Sequence, residues 1–148
     1  MGAPHIADFG KYFKAASCNG ISITAAGTGD NVALTGASID RLGYGSASFV
    51  IAYKTTLAAA ETLSFAAEYQ LSSDNSNWDT AVSLQAATVA RTGAVTAGHG
   101  VVKFDVNLEG AKRYIRFNFT PNLSASGTDT AVVYGTAILG GADLVPAV

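Results

Sequence analysis

The sequence is poor in charge: Asp, Glu, Lys and Arg make up 14% of its 148 residues, against about 25% in an ordinary soluble domain. Ala, Ser, Thr, Asn and Gly must therefore cover much of the surface, which then resists neither contact nor assembly. Nine Lys and Arg against eleven Asp and Glu leave a net charge of -2, without the basic footprint of a nucleic-acid binder. Cysteine occurs once, at Cys18, so no intramolecular disulfide braces the fold and stability has to come from packing. No apolar run reaches the roughly 18 residues that a transmembrane helix requires. Asp8, Lys11 and Lys14 interrupt the apolar residues of Met1 to Ser17, which excludes the continuous core of a secretory signal. Gly2 is followed at position 6 by Ile6, where a myristoylation signal wants Ser or Thr. These absences predict a soluble, non-secreted product that no membrane holds.

Chemistry-bearing clusters are equally scarce. The two histidines, His5 and His99, have no Cys or second His at ligand spacing, so they read as loop residues. No Gly-x-Ser-x-Gly elbow occurs, and Cys18 stands without a neighbouring base, which leaves nucleophilic catalysis without its parts. Counted from Asp74, the turn Ser73 to Asp79 puts Ser76 third, Trp78 fifth and Asp79 sixth. An EF-hand calcium loop wants a carboxylate or amide at the first, third and fifth positions and then Gly, so an Asx-type turn is expected instead. Trp78 either anchors that turn or offers a platform for a sugar ring. Glu68, Asp105 and Glu109 are the candidates for a carboxylate pair of glycosidase type, but Glu68 and Asp105 alternate out of apolar strand faces and read as solvated surface. Lys112, Arg113 and Arg116 form the one basic cluster, of a size that ordinary solvation explains. Asn118-Phe119-Thr120 and Asn122-Leu123-Ser124 are glycosylation-type triplets, read as chance without a signal peptide. The expectation is a protein without catalysis, cofactor or metal.

What is present is period-two alternation. In Lys112 to Thr120, Ile115, Phe117 and Phe119 share one face while Arg116 and Asn118 take the other, the pattern of a half-buried strand. Val102, Phe104, Val106 and Leu108 alternate with Lys103, Asp105 and Asn107 in the same way, as do Leu63, Phe65, Ala67, Tyr69 and Leu71 with Ser64, Ala66, Glu68 and Gln70. Phe49, Ile51 and Tyr53 mark a further strand. Weaker strands are expected at Ile21 to Ala25, Asn31 to Thr35, Ala81 to Ala90 and Thr128 to Leu139. The last is apolar on both faces around Val132, Val133 and Tyr134, as a centrally buried strand would be. Turn clusters separate them at Ala26 to Asn31, Gly43 to Ser46, Ser72 to Asp79, Thr92 to Gly100 and Pro121 to Gly127. Thr55 to Thr62 is too short for a stable helix and is expected as a loop with one helical turn.

About eight short antiparallel strands predict a single all-β domain, a jelly roll or β-sandwich over residues 21–141. Residues 1–20 are expected as an N-terminal arm and 142–148 as a C-terminal tail. Ile6, Phe9, Tyr12 and Phe13 lie near helical spacing, so the arm is either a short amphipathic helix or a segment lying on another surface. The tail carries Leu144, Val145 and Val148 with only Asp143 charged. Apolar ends are a liability in water, so these seven residues are the candidate interface of a homo-oligomer or larger assembly.

The turn Ser73-Asp74-Asn75-Ser76-Asn77-Trp78-Asp79, followed by Gly110-Ala111-Lys112-Arg113-Tyr114-Ile115-Arg116, Thr120-Pro121-Asn122-Leu123-Ser124-Ala125, Thr128-Asp129-Thr130-Ala131 and Leu139-Gly140-Gly141-Ala142-Asp143, resembles small structural proteins of tailed-bacteriophage virions, in particular jelly-roll cement or decoration proteins. The resemblance spans roughly Ile21 to Asp143 and rests on turns and strand starts. It implies a protein made in the host cytoplasm and located on the capsid surface of the virion. There it oligomerises and bridges subunits of the major capsid protein, contacting neither nucleic acid nor membrane directly. No catalytic residue carries over. A tail or head-fibre component is the alternative within that class, and a carbohydrate-binding β-sandwich using Trp78 the alternative outside it.

Overall fold

The computed structural model describes residues 9–93, 97–125 and 127–143. A 3-10 helix, Phe9–Tyr12, precedes nine strands: β1 Lys14–Thr24, β2 Leu34–Thr35, β3 Ile39–Asp40, β4 Tyr44–Thr56, β5 Thr62–Ser72, β6 Val82–Thr92, β7 Ala97–Asn107, β8 Tyr114–Leu123 and β9 Thr130–Ala142. All pairings are antiparallel. One sheet, here sheet A, has the order β1-β9-β4-β7; sheet B has the order β2-β8-β5-β6, with β3 also on β8. With β2 and β3 taken as one interrupted strand, eight strands interleave between two sheets as in a jelly roll. Among the described residues no helix is long and apolar enough to cross a membrane.

The alternating residues make the core. Phe49, Ile51, Leu63, Phe65, Ile115, Phe117 and Phe119 are all at most 1% exposed. The ring of Phe49 stacks on Phe117 with centroids 4.8 Å apart and planes 10° from parallel, and it also meets Phe119 and Phe104. Stacking joins sheet A to sheet B at the centre of the sandwich. Tyr69, Val102 and Phe104 pack at its margin, half-buried. Gly135 sits where a Cβ would come within 2.9 Å of Phe49 and 3.1 Å of Phe119, so only glycine leaves room for those rings.

Several boundaries differ from the sequence expectation, each for a tertiary reason. Strand β1 begins at Lys14, so residues 14–20, expected in the arm, belong to sheet A, paired with β9 from Lys14↔Leu139 onward. A register shift between Ser17 and Asn19 leaves Cys18 as an extra residue and breaks the period-two pattern there. The Cys18 carbonyl accepts from Ala37 N–H, and Asn19 Nδ2 donates to Thr35 O, so the segment between β2 and β3 closes over this edge. Strand β8 runs through Pro121, expected in a turn. The Pro121 carbonyl accepts from Asn31, so its nitrogen faces the same side, beyond the end of β2, and the ladder to β5 loses no donor. Strand β7 likewise starts inside the expected turn Thr92 to Gly100.

Carboxylates tie the turns. Buried Asp129 accepts from Ala58 N–H with both oxygens, at 3.0 and 3.1 Å. Asp30 accepts from Ala26 N–H and Leu123 N–H, linking the end of β1 in sheet A to β8 in sheet B.

Candidate functional site

The two outer faces of the sandwich differ in chemistry. On sheet B, Arg116 Nε donates to Gln70 Oε1, and Asn118 Nδ2 donates to Gln70 and Glu68. The Asn118 side-chain carbonyl accepts from Gly36 N–H, which leaves Asn118 buried and fully engaged. The centre of this face is polar and self-satisfied, while at its edge Val89 of β6 is 54% exposed.

Sheet A exposes large apolar side chains on its central strand β9 as well as at its edge. Its register aligns Gly20, Tyr134, Ala52 and Val101 in one row, flanked by Ser22, Val132, Lys54 and His99 on one side and Ser17, Thr136, Val50 and Lys103 on the other. Val101, Val132 and Tyr134 are 66%, 53% and 47% exposed. The Tyr134 ring lies over Gly20, where a Cβ would stand 2.3 Å from its edge, and its hydroxyl meets Ser17 Oγ at 2.5 Å. Tyrosine is thus held flat against the sheet with its outer ring face in solvent. Strand β9, expected to be covered on both sides, is central within the sheet but covered on its inner face alone. Large apolar side chains of a central strand are thus left uncovered, and sequence alternation alone does not separate such a face from a buried one.

The structure scatters the remaining sequence candidates. Phe9 and Tyr12 lie in the 3-10 helix, with Tyr12 exposed; Phe13 is half-buried beside Gly140. Ile6, Leu144, Val145 and Val148 lie outside the described residues, as does His5. His99 is exposed on the outer face of sheet A. Glu68 and Asp105 stand on opposite outer faces, so they do not form a carboxylate pair, and the Glu109 N–H donates to Asn107 in the turn after β7. Among the described residues no three His, Cys, Asp or Glu side chains converge.

The Ser73 to Asp79 turn closes on itself. Asp74 accepts from the backbone of Asn77 and Ser76, from the Asn77 side chain and from the Ser72 hydroxyl. These donors, the Asn77 N–H foremost, hold its carboxyl far below the usual carboxylate range. Asp79 points elsewhere, pairing with Lys112 at 2.6 Å. Trp78 carries the Arg116 guanidinium 4.3 Å over its ring, which commits that face to holding the turn on sheet B. Arg113 grips Asp40 at 2.7 Å, and this hydrogen bond is the main reason the Asp40 carboxyl is lowered. The basic cluster is consumed internally. Burial pushes the Cys18 thiol up to about 11, which leaves it protonated and inert at neutral pH.

A hollow of about 350 Å³ lies against Ser46, Ala47, Ser48, Asp105, Val106 and Asn107. Ser48 donates to Asp105 at 2.5 Å, so its polar groups satisfy each other rather than converge on a ligand.

No protein-family model matches the sequence, and no curated protein does. Solved structures do match the fold. A structure of infectious bursal disease virus, Gx strain, aligns with a TM-score of 0.53 and 12% identity over 92% of this chain and 35% of the viral one. The VP2 subviral particle of that virus aligns with a TM-score of 0.54 and 11% identity over 88% of this chain and 33% of its own. A structure of derived T=1 particles gives 0.52 and 12% over 88% and 32%. The chain spans about a third of the length of these viral chains, and the likeness is one of fold.

Proposed function

We propose that this protein is a structural component of a virion that binds and stabilises a phage capsid shell by bridging its subunits, as a cement or decoration protein. Its partner in this reading is the major capsid protein. It acts as a homo-oligomer on the capsid surface, without catalysis, cofactor, nucleic acid or membrane. The observation that carries the reading is the apolar row across the outer face of sheet A, on a sandwich whose fold is shared with proteins of viral particles. Each large aliphatic side chain withdrawn from water there contributes about 1.5–3 kcal/mol before ordering costs. Repetition around a shell multiplies a modest contact. Because the face carries few charges, attachment should depend weakly on salt.

The test is sedimentation of the full chain with purified shells assembled from the major capsid protein of the phage whose genome carries this sequence. Binding is expected, and Val132→Glu combined with Ala52→Glu should weaken it by about tenfold or more at unchanged melting temperature. Removal of residues 1–8 or 144–148 measures the share of the arms. No binding by the unmodified chain refutes the reading.

A further inference from the structure

The two sides of the sandwich are finished differently. At one side, β1 is bulged and the segment between β2 and β3 is bonded onto it. At the other side lie β6 and β7, each eleven residues long. Strand β6 shows three register irregularities against β5, which twist and roughen its edge. Strand β7 pairs with β4 in an unbroken register from Ser46↔Asn107 to Thr56↔Ala97, contains no proline, and no described strand pairs with its outer edge. Proteins usually blunt such an edge with bulges, proline, inward charges or edge lysines; β7 has one lysine, Lys103, whose charge is met by Asp105, and none of the other devices.

Leu108 N–H donates to Gly45 O at 2.9 Å. Hydrogen-bonding groups alternate sides along a strand, so those of Val106, Phe104 and Val102 face β4, while those of Asn107, Asp105, Lys103 and Val101 face outward. The side chains of this outward set stand on the outer face of sheet A, where Lys103 and Asp105 pair within the chain at 2.7 Å, both more than half exposed.

We propose that the outer edge of β7 pairs antiparallel with β7 of a second copy of this chain about a two-fold axis at Phe104, making one continuous eight-stranded sheet from two copies of four-stranded sheet A. The charge pattern selects that axis. Centred at Phe104, Lys103 stands directly opposite Asp105 of the second copy, twice by symmetry, and Val101 stands opposite Asn107. Centring at Lys103 or at Asp105 sets like charges against each other, which destabilises a strand pair. Centring at Val102 sets Lys103 against Val101, and centring at Val106 sets Asp105 against Asn107 and Lys103 against position 109, beyond the end of β7; each leaves a strand charge without an opposite on the paired strand. An exposed ion pair contributes little within one chain, so exchanging its partner across the axis costs little, and the result is a square of alternating charge. The interface is isologous and closed, which satisfies the edge without building a fibre. Pairing also sets two apolar rows side by side on one broad face. It extends the self-association in the reading above but does not need the shell: a dimer that fails to bind shells removes that reading and leaves this one.

The test is light scattering of the full chain from about 1 µM to about 1 mM, with thermal unfolding of every variant as the folding control. A dimer is expected. Lys103→Asp and Asp105→Lys each set like charges across the axis, and each should raise the dissociation constant by about tenfold or more. Mixed together, the two variants should form a heterodimer, since the two adjacent carboxylates of the first then face two ammonium groups of the second, although neither variant retains the ion pair within its own chain. Val101→Pro, which removes an outward N–H, should leave a folded monomer. A monomeric unmodified chain, dimers indifferent to both charge reversals, or a mixture no more associated than its parts would each overturn the proposal and leave the edge to another partner.

Discussion

Replacing Phe117 by alanine removes the ring that joins the two sheets at their centre. Phe117 is 0% exposed and stacked on Phe49 at 4.8 Å, with Tyr69 at 6.5 Å on another side. Truncating a buried phenylalanine costs about 3–5 kcal/mol, including the cavity left behind, and neighbours held in two separate sheets have little freedom to collapse into it. At roughly 0.05–0.15 kcal/mol per residue, a 148-residue chain has a stability on the order of 7–22 kcal/mol, so the variant should still fold. With a urea m-value of about 2 kcal/mol/M, the midpoint should fall by about 1.5–2.5 M at unchanged m. A double-mutant cycle with Phe49→Leu should return a coupling of about 0.5–1.5 kcal/mol from the ring pair. A loss below about 1 kcal/mol for Phe117→Ala would refute the register that places this residue between the sheets.

Gly135→Ala should destabilise by about 1–3 kcal/mol, because its methyl would displace Phe49 and Phe119 in a packed core; chemical denaturation measures this, and a neutral result means the rings have room to move. Asp74 has a folded-state pKa depressed below its ordinary value of 3.8, so its contribution is complete above that value and is lost as pH falls through the acid range. Melting temperature should therefore decline less steeply below about pH 4 in Asp74→Asn than in the unmodified chain, and an identical slope would show that the turn does not favour the ionised form.

The inner faces were legible in the sequence because one physical rule governs them: Ile115, Phe117 and Phe119 alternate, and all three are buried. Where a second constraint overrides alternation, the pattern fails. The small residues of Lys14 to Ser17 carry no apolar period, yet pairing with β9 draws them into sheet A. Ile39–Asp40 is too short a strand to show a period at all. Pro121 signals a turn locally, while its position beyond the end of β2 makes it harmless in a strand. The candidate site was legible only in part. Val132 and Tyr134 stood out as apolar, but whether a layer covers them depends on the stacking of sheets, which no local pattern encodes. The free edge of β7 follows from strand order, again a property of the whole chain.

The pairing of β1 with β9 has a kinetic consequence. Ser17 and Tyr134, in contact across that ladder, are 117 residues apart in the chain. Closing so long a loop must precede any return from the contacts it brings together, and sandwiches built on such pairings fold in milliseconds to seconds. On the ribosome, β1 emerges first and waits for nearly the whole domain before its partner exists. Sheet A therefore completes only after β9 is released, and a chain stalled before Thr130 leaves β1 and β4 each with an edge that β9 would have paired, which a neighbouring nascent chain can occupy.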